Sequence, residues 1–395
     1  MSAAVTTRAT ASHRWRTWGR AWWGVLIAGL AVGLGSFLYQ GSNGLGVTGL
    51  SNTISWGMYI ITFMFLVGVS AGGLIVVAGS ELVESDRFEP LTRLAVIVSG
   101  AAIVAAAVSI LPDLGRPQLV WKMIWQPHWT SPLIWDVMVI TLYLSIAAVD
   151  LWLLTRPEPR PRALRTMAFV ALPAAVLVHS VTAWIFGLLV ARPFWNTAIL
   201  APMFISSALV SGTALLILVA HVTERTTDWD LPERVFPDLG RLMLWFLGVD
   251  AFLLFSEILT SYLSRVPDHI QQLDVLLFGR LAPVFWAEII LGVAVPFAIF
   301  SSRLRNRRGW VVAGGVLALV GVFFKRINIV MTSMFVPLVG LAPGIPGGRP
   351  GQEFRSDVIY IPTAVEMGIL IGVAALVGVL ITFGVRAFVA PKRLS

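Results

Sequence analysis

Ten stretches of the chain are long and apolar enough to cross a lipid bilayer. They lie at approximately 21–40, 55–79, 91–112, 131–154, 164–191, 196–221, 240–263, 281–302, 309–331 and 361–389. A spanning helix needs about 20 mostly apolar residues. Only short tails, 1–20 and 390–395, and loops remain outside one membrane domain, 21–389. The first span is long and no A-x-A-like site follows it, so no cleavable signal peptide is expected. Composition agrees: 57% of residues are hydrophobic and 13% charged, against about 25% charged in a soluble domain. The expected fold is an all-α integral membrane protein. It has about ten transmembrane helices in two four-helix-bundle-like halves, with both termini cytoplasmic.

Charge placement gives the orientation. The formal net charge is +8. The N-terminus, the even-numbered loops and the C-terminus hold about 20 Lys and Arg, and the odd-numbered loops about 7. Lysine and arginine favour the cytoplasmic side. The clearest cytoplasmic markers are Arg156, Arg160, Arg162 and Arg165, and Arg303, Arg305, Arg307 and Arg308. Nucleic-acid binding is the weaker reading of this charge, because no basic domain stands outside the membrane.

The outward loops differ from the inward ones. Residues 41–54 carry no charge. Residues 113–130 hold Trp121, Trp125 and Trp129, whose spacing of four predicts one face of an interfacial helix. Residues 332–360 form the longest loop, with Pro343, Gly344, Pro346, Gly347, Gly348 and Pro350. Such a run does not continue a helix. It is either a binding loop or a plain connector.

Ionisable residues within the apolar runs carry most of the functional information. They are Asp136, His179, Asp250, Glu257, Glu288, Lys325, Arg326 and Glu366. Each costs several kcal/mol in a bilayer, so such groups face a bundle interior, a water path or a ligand. With the orientation above, Asp136 lies about 8 Å below the outer end at 1.5 Å per residue, and Glu288 and Glu366 about 8–10 Å below it. His179 falls near the midplane and Asp150 near the cytoplasmic end. Asp113 and Arg116 sit at the outer mouth. Two readings compete: the acids pair with Lys325, Arg326 and Arg116 to hold helices together, or some bind a polar head group and carry protons. Buried pairing alone contributes little stability, which favours the second reading for the cluster as a whole.

Two cofactor classes are disfavoured. The chain has no cysteine, so it holds no iron–sulfur cluster and forms no disulfide. Only one of its five histidines, His179, is deep. A bis-histidine haem needs two facing ones. A single deep histidine suits a hydrogen bond to a quinone carbonyl or a proton relay, and a core histidine with satisfied bonds is the plain alternative. Gly68, Gly72 and Gly73 stand about a turn apart in the second span. Small residues there permit close helix packing or flank a flat ligand. Trp56 opens that span as an interfacial anchor.

Several short motifs follow one another along the chain. They are Ser55-Trp56-Gly57 leading to Ser70-Ala71-Gly72-Gly73, then Asp113-Leu114-Gly115-Arg116-Pro117, then Ser131-Pro132 with Asp136. His179-Ser180, Glu257, Phe285-Trp286-Ala287-Glu288 and Tyr360-Ile361-Pro362-Thr363 with Glu366 come next. In this order the chain resembles the NrfD/PsrC superfamily of membrane subunits. These occur in polysulfide reductase, the Hyb-type uptake hydrogenase and alternative complex III. The ten spans fit the longer members better than the polysulfide reductase subunit.

The resemblance implies a haem-free subunit in the cytoplasmic (inner) membrane of a bacterium or archaeon. Such a subunit exchanges electrons with menaquinone or ubiquinone near the outer face. The implied partners are the lipid bilayer, a four-cluster ferredoxin-like iron–sulfur subunit on the outer face and a catalytic subunit. That catalytic subunit is a molybdopterin enzyme, a hydrogenase or a multihaem cytochrome. On this basis the quinone site is expected among spans two to five. His179 and Asp136 are the catalytic candidates, with Asp113, Arg116, Trp56 and Gly72 at the binding site. Asp250, Glu257, Glu288 and Glu366 form a candidate proton path. An ion-coupled secondary transporter and a passive membrane anchor remain the alternatives.

Overall fold

The computed structural model describes residues 3–83, 87–156, 161–336 and 359–389, with the backbone alone for 3–18, Ile124 and Pro161. Among these residues there is no strand, and ten helices are long and apolar enough to cross a membrane. They are α1 (Ala3–Asn43), α2 (Met58–Leu82), α3 (Thr92–Ile110), α4 (Pro132–Leu154), α5 (Pro161–Gly187), α6 (Leu200–Thr226), α7 (Val235–Leu263), α8 (Ala282–Ser301), α9 (Arg308–Met334) and α10 (Ala364–Gly384). Most of the loop expected at 332–360 lies outside the described residues.

The helices form two bundles and a side pair. In the first bundle α2 packs on α3 and α5, and α4 on α3 and α5. In the second, α6 packs on α7 and α9, and α8 on α7 and α9. Helix α2 joins the bundles through α6 and α9, while α1 and α10 pack on each other and α10 leans on α3.

The join between the bundles depends on glycine. A Cβ on Gly72 would stand 1.8 Å from the carbonyl oxygen of Ala208, and one on Gly212 would stand 2.3 Å from the Gly73 nitrogen. The backbones of α2 and α6 touch there because neither helix carries a side chain at the crossing. Gly72→Ala is therefore expected to push α2 off α6. Overpacking of this kind costs about 1–3 kcal/mol or more. Thermal unfolding of the purified variant checks it, and an unchanged midpoint would mean that the crossing is looser than described.

Two local features depart from regular helix. In α8, Glu288–Ala294 forms a π-helix. Pro296 follows it. The Pro296 ring would crowd the carbonyl of Gly292 in a regular helix, and the wider turn accommodates it. In the loop after α3, Gly115 has φ +64°, a conformation that a residue without Cβ adopts freely.

The tryptophan face expected in the loop 113–130 is not a helical face. Around these tryptophans only Lys122–Trp125 is α-helical. Pro127 follows closely, and its ring disfavours helical geometry at Gln126. Trp121, Trp125 and Trp129 are all more than half exposed, so they remain at the surface without sharing a helix.

Candidate functional site

Apart from Asp150 near the far end of α4, the buried ionisable residues of the apolar runs separate into three groups, defined by the helices that hold them. The first group lies at the seam of the bundles. His179 on α5 and Arg326 on α9 are fully buried. Arg326 Nη2 lies 3.2 Å from His179 Nε2 and donates to Ser207 Oγ on α6 at 2.8 Å. The guanidinium carbon stands 4.4 Å from the ring centroid of Phe204, and the His179 ring stands 5.3 Å from that ring. Nδ1 of His179, and Nε and Nη1 of Arg326, are buried without a hydrogen-bond partner.

One turn from His179, Thr182 Oγ1 reaches Asp136 Oδ1 of α4 at 2.9 Å. Thr182 Oγ1 is also 2.9 Å from the carbonyl of Val178. A hydroxyl has one proton to donate. When Asp136 is ionised, the Thr182 hydroxyl donates to it. When Asp136 carries a proton, that proton is donated to Thr182 Oγ1 and the hydroxyl turns to Val178. Asp136 thus keeps a hydrogen bond in both protonation states, a property that suits a buried proton acceptor.

Aromatic rings lead from this pair to the end of the bundle that the charge pattern assigns to the outside. Phe204 stands 6.1 Å from Phe186, and Phe186 stands 5.2 Å from Trp195. Trp56 stacks on Trp195 at 5.3 Å and meets Phe186 edge-on at 5.0 Å. Trp195 Nε1 donates to the carbonyl of Ile329 at 2.7 Å. Trp56 is therefore part of a packed aromatic group, beyond the anchor that its position in sequence suggests. Gly72 faces α6, and Gly68 is the glycine that lies against His179 and Arg326.

The second group runs through the second bundle. Lys325 Nζ donates to Asp250 Oδ1 at 2.7 Å, and Ser206 Oγ donates to the same oxygen at 2.8 Å. Glu288, on the π-helix of α8, accepts from Asn328 Nδ2 at 2.7 Å, and its other oxygen has no partner. Glu257 lies about 10 Å along α7 from Asp250. It accepts from Thr197 Oγ1 at 2.8 Å, while Ser261 Oγ and then His269 Nδ1 follow at 3.5 Å each. Asp250, Glu257 and Glu288 thus line one bundle, beside the seam that holds His179.

Glu366 stands apart in the third group. Its Oε2 accepts from the backbone N–H groups of Gly49 and Thr363, each at 2.8 Å, and Oε1 accepts from the Tyr360 hydroxyl at 2.6 Å. Thr363 returns the bond, completing a capping box at the start of α10. Burial and the neighbouring Glu366 carboxylate push the Tyr360 hydroxyl well above the usual range, so it stays a donor. Lys325 and Arg326 are not among these partners. Nearby, Tyr59 donates to Gln40 and Gln40 donates to the Pro112 carbonyl. Asp113 has one buried oxygen without a partner, and Arg116 is exposed on the loop.

Sequence reasoning does not place Thr182, Ser207 or Phe204 among the site residues, offers Gly68 only as one of three glycines that pack helices or flank a ligand, and gives Arg326 only as a partner for acids. A threonine three residues from His179 is the one local signal of the Asp136 contact. Ser207, Phe204 and Gly68 meet Arg326 across more than 100 residues of chain.

The family described as "Polysulphide reductase, NrfD" matches residues 46–337 of this chain. A putative dimethyl sulfoxide reductase membrane subunit of Halobacterium salinarum is 35% identical over 97% of this chain and 94% of its own length. The "Hdr-like menaquinol oxidoreductase integral membrane subunit" of Archaeoglobus fulgidus is 28% identical over 93% of each chain. The "Menaquinone reductase, integral membrane subunit" of Nitratidesulfovibrio vulgaris is 20% identical over 87% of this chain and 85% of its own length. With ten membrane-length helices and a family match across most of its length, the chain is a multi-pass membrane protein of the NrfD family.

Proposed function

We propose that this chain is the quinone-reactive membrane subunit of a respiratory oxidoreductase in the cytoplasmic membrane of a bacterium or archaeon. The observation that carries the reading is the buried pair His179 and Asp136, linked through one turn of α5 and set beneath aromatic rings. The names of the relatives from A. fulgidus and N. vulgaris favour menaquinone over ubiquinone.

The residues fit a quinone head group. Nδ1 of His179 is a buried ring nitrogen held by no hydrogen bond of ordinary geometry, with the Phe204 backbone beside it, and Asp136 accepts a proton without losing its hydrogen bond. Rings of Phe204, Phe186 and Trp56 form a packed apolar wall beside the pair. A quinol bound there supplies two electrons and two protons on oxidation. His179 would orient one oxygen, Asp136 would take the two protons in turn, the iron–sulfur partner would take the two electrons, and the aromatic group would exclude water.

Asp113 and Arg116 shape the outer mouth, where an iron–sulfur subunit docks and passes electrons to or from a catalytic subunit. Asp250, Glu257 and Glu288 form a proton path through the second bundle. Glu366 is left out of that path, because its carboxylate is fully engaged by donors at the helix cap.

The test is quinone-linked turnover of the assembled complex carrying His179→Ala or Asp136→Asn. Assembly with loss of turnover is expected. Turnover near that of the unmodified complex would remove the site assignment. Copurification bears on the transporter alternative: a cluster-bearing partner is expected, whereas a transporter purifies alone.

A further inference from the structure

We propose that Arg326 is a positioning residue that fixes His179 as the neutral ring protonated at Nδ1, so that Nδ1 presents an N–H to the substrate. The quinone contact in this proposal rests on the quinone-reactive reading of the chain, while the tautomer does not.

A guanidinium can only donate. Arg326 has five N–H donors and no acceptor. In its contact with His179, Nη2 therefore donates and Nε2 accepts at 3.2 Å. A nitrogen that accepts carries no proton, so the proton of the neutral ring is on Nδ1. That nitrogen is buried without a hydrogen bond of ordinary geometry, and the Phe204 backbone beside it is an acceptor that a substrate oxygen would have to displace.

Charge elsewhere in the bundle leaves Arg326 free for this task. The acids near it are engaged by other groups: Asp250 by Lys325 and Ser206, and Glu288 by Asn328. Lys325 and Arg326 are adjacent in sequence but about 100° apart around α9. Lys325 thus turns to α7, while Arg326 turns to the seam where α2, α5 and α6 meet. No carboxylate bonds to Arg326 among the described residues. Its directed contacts are His179, Ser207 and the face of Phe204.

The surroundings hold this geometry in place. Both side chains are fully buried. Helix α2 closes over the contact at Gly68, where a Cβ would stand 3.2 Å from His179 Cε1 and 3.3 Å from Arg326 Nη2. An Nε2–H tautomer would set an N–H against a guanidinium N–H, with no acceptor between them. A doubly protonated ring would do the same and add a like charge. Arg326 therefore excludes both forms. The consequence for the reaction is a division of labour: His179 donates to one substrate oxygen, Asp136 takes the two protons of a quinol in turn and passes the first on before the second arrives, and both electrons leave for the iron–sulfur partner.

The test uses the purified full chain in lipid nanodiscs with 15N-labelled histidine, its His179 signals assigned by loss in His179→Gln. Nitrogen shifts separate a protonated ring nitrogen from an unprotonated one. The expected result is a neutral His179 protonated at Nδ1. A ring protonated at Nε2, or at both nitrogens, overturns the proposal. Arg326→Gln offers an amide that either donates or accepts, so the ring loses its single tautomer. In the assembled complex, KM for a menaquinol analogue should then rise by up to about 100-fold, the scale set by a misplaced hydrogen-bonding group. An unchanged KM in an assembled Gln variant overturns the proposal. Where that variant does not assemble, the wild-type spectrum alone decides. If His179→Ala leaves turnover intact, the quinone reading fails, and the tautomer result stands or falls by itself.

Discussion

Turnover with quinol should fall by about 100-fold or more in complexes carrying Asp136→Asn, the scale at which a positioned proton acceptor contributes. The loss should appear in kcat. The asparagine side chain keeps a hydrogen bond to Thr182 but takes no proton, so substrate still binds while proton removal slows. His179→Ala should lose a comparable factor in kcat/KM, with a large part of it in KM, if His179 holds the substrate oxygen as proposed. Both variants should assemble, since neither substitution adds bulk where α2 packs against its neighbours. Steady-state kinetics across quinol concentrations distinguish the two patterns. A pure KM effect in Asp136→Asn would contradict its role as proton acceptor.

The second large effect concerns stability. Lys325 and Asp250 are buried and paired at 2.7 Å. Removing one partner leaves an uncompensated charge in the bundle, at a cost of about 3–5 kcal/mol. Asp250→Asn should therefore lower the unfolding midpoint of the purified chain sharply. The double variant Asp250→Asn with Lys325→Met removes both charges and should recover much of the loss. Detergent-solubilised chain unfolded by heat gives both numbers. Equal destabilisation in the single and double variants would mean that Asp250 and Lys325 do not act as a pair. The same comparison separates structural from proton-conducting duty: a double variant that is stable but inactive places the Asp250–Lys325 pair on the working path.

The spans are legible in the sequence because a bilayer imposes one length and one polarity on every crossing helix. The buried charges are legible for the same reason. Their partners are not. Arg326 meets His179 across 147 positions of chain, and no local pattern encodes that contact. Lys325 and Arg326 read as one basic pair, yet helical geometry sends them to different helices.

Glu366 has partners that its depth alone does not suggest. Depth makes it look like a membrane carboxylate, but Thr363-Ala-Val-Glu366 also fits the Thr-x-x-Glu capping pattern. The structure takes the local reading, and the donors of Gly49 and Tyr360 complete it. Trp121, Trp125 and Trp129 do not form a helical face because Pro127 interrupts the helix that their spacing requires.

Photolabelling addresses the quinone site most directly. The purified full chain in lipid nanodiscs is exposed to an azido-naphthoquinone, irradiated, digested and mapped by mass spectrometry. The predicted adducts lie on α2 around Gly68 and on α5 around His179. Excess menaquinone competes them away, and His179→Ala loses them. Adducts confined to other helices, or labelling that menaquinone does not reduce, would contradict a quinone site at the seam of the two bundles.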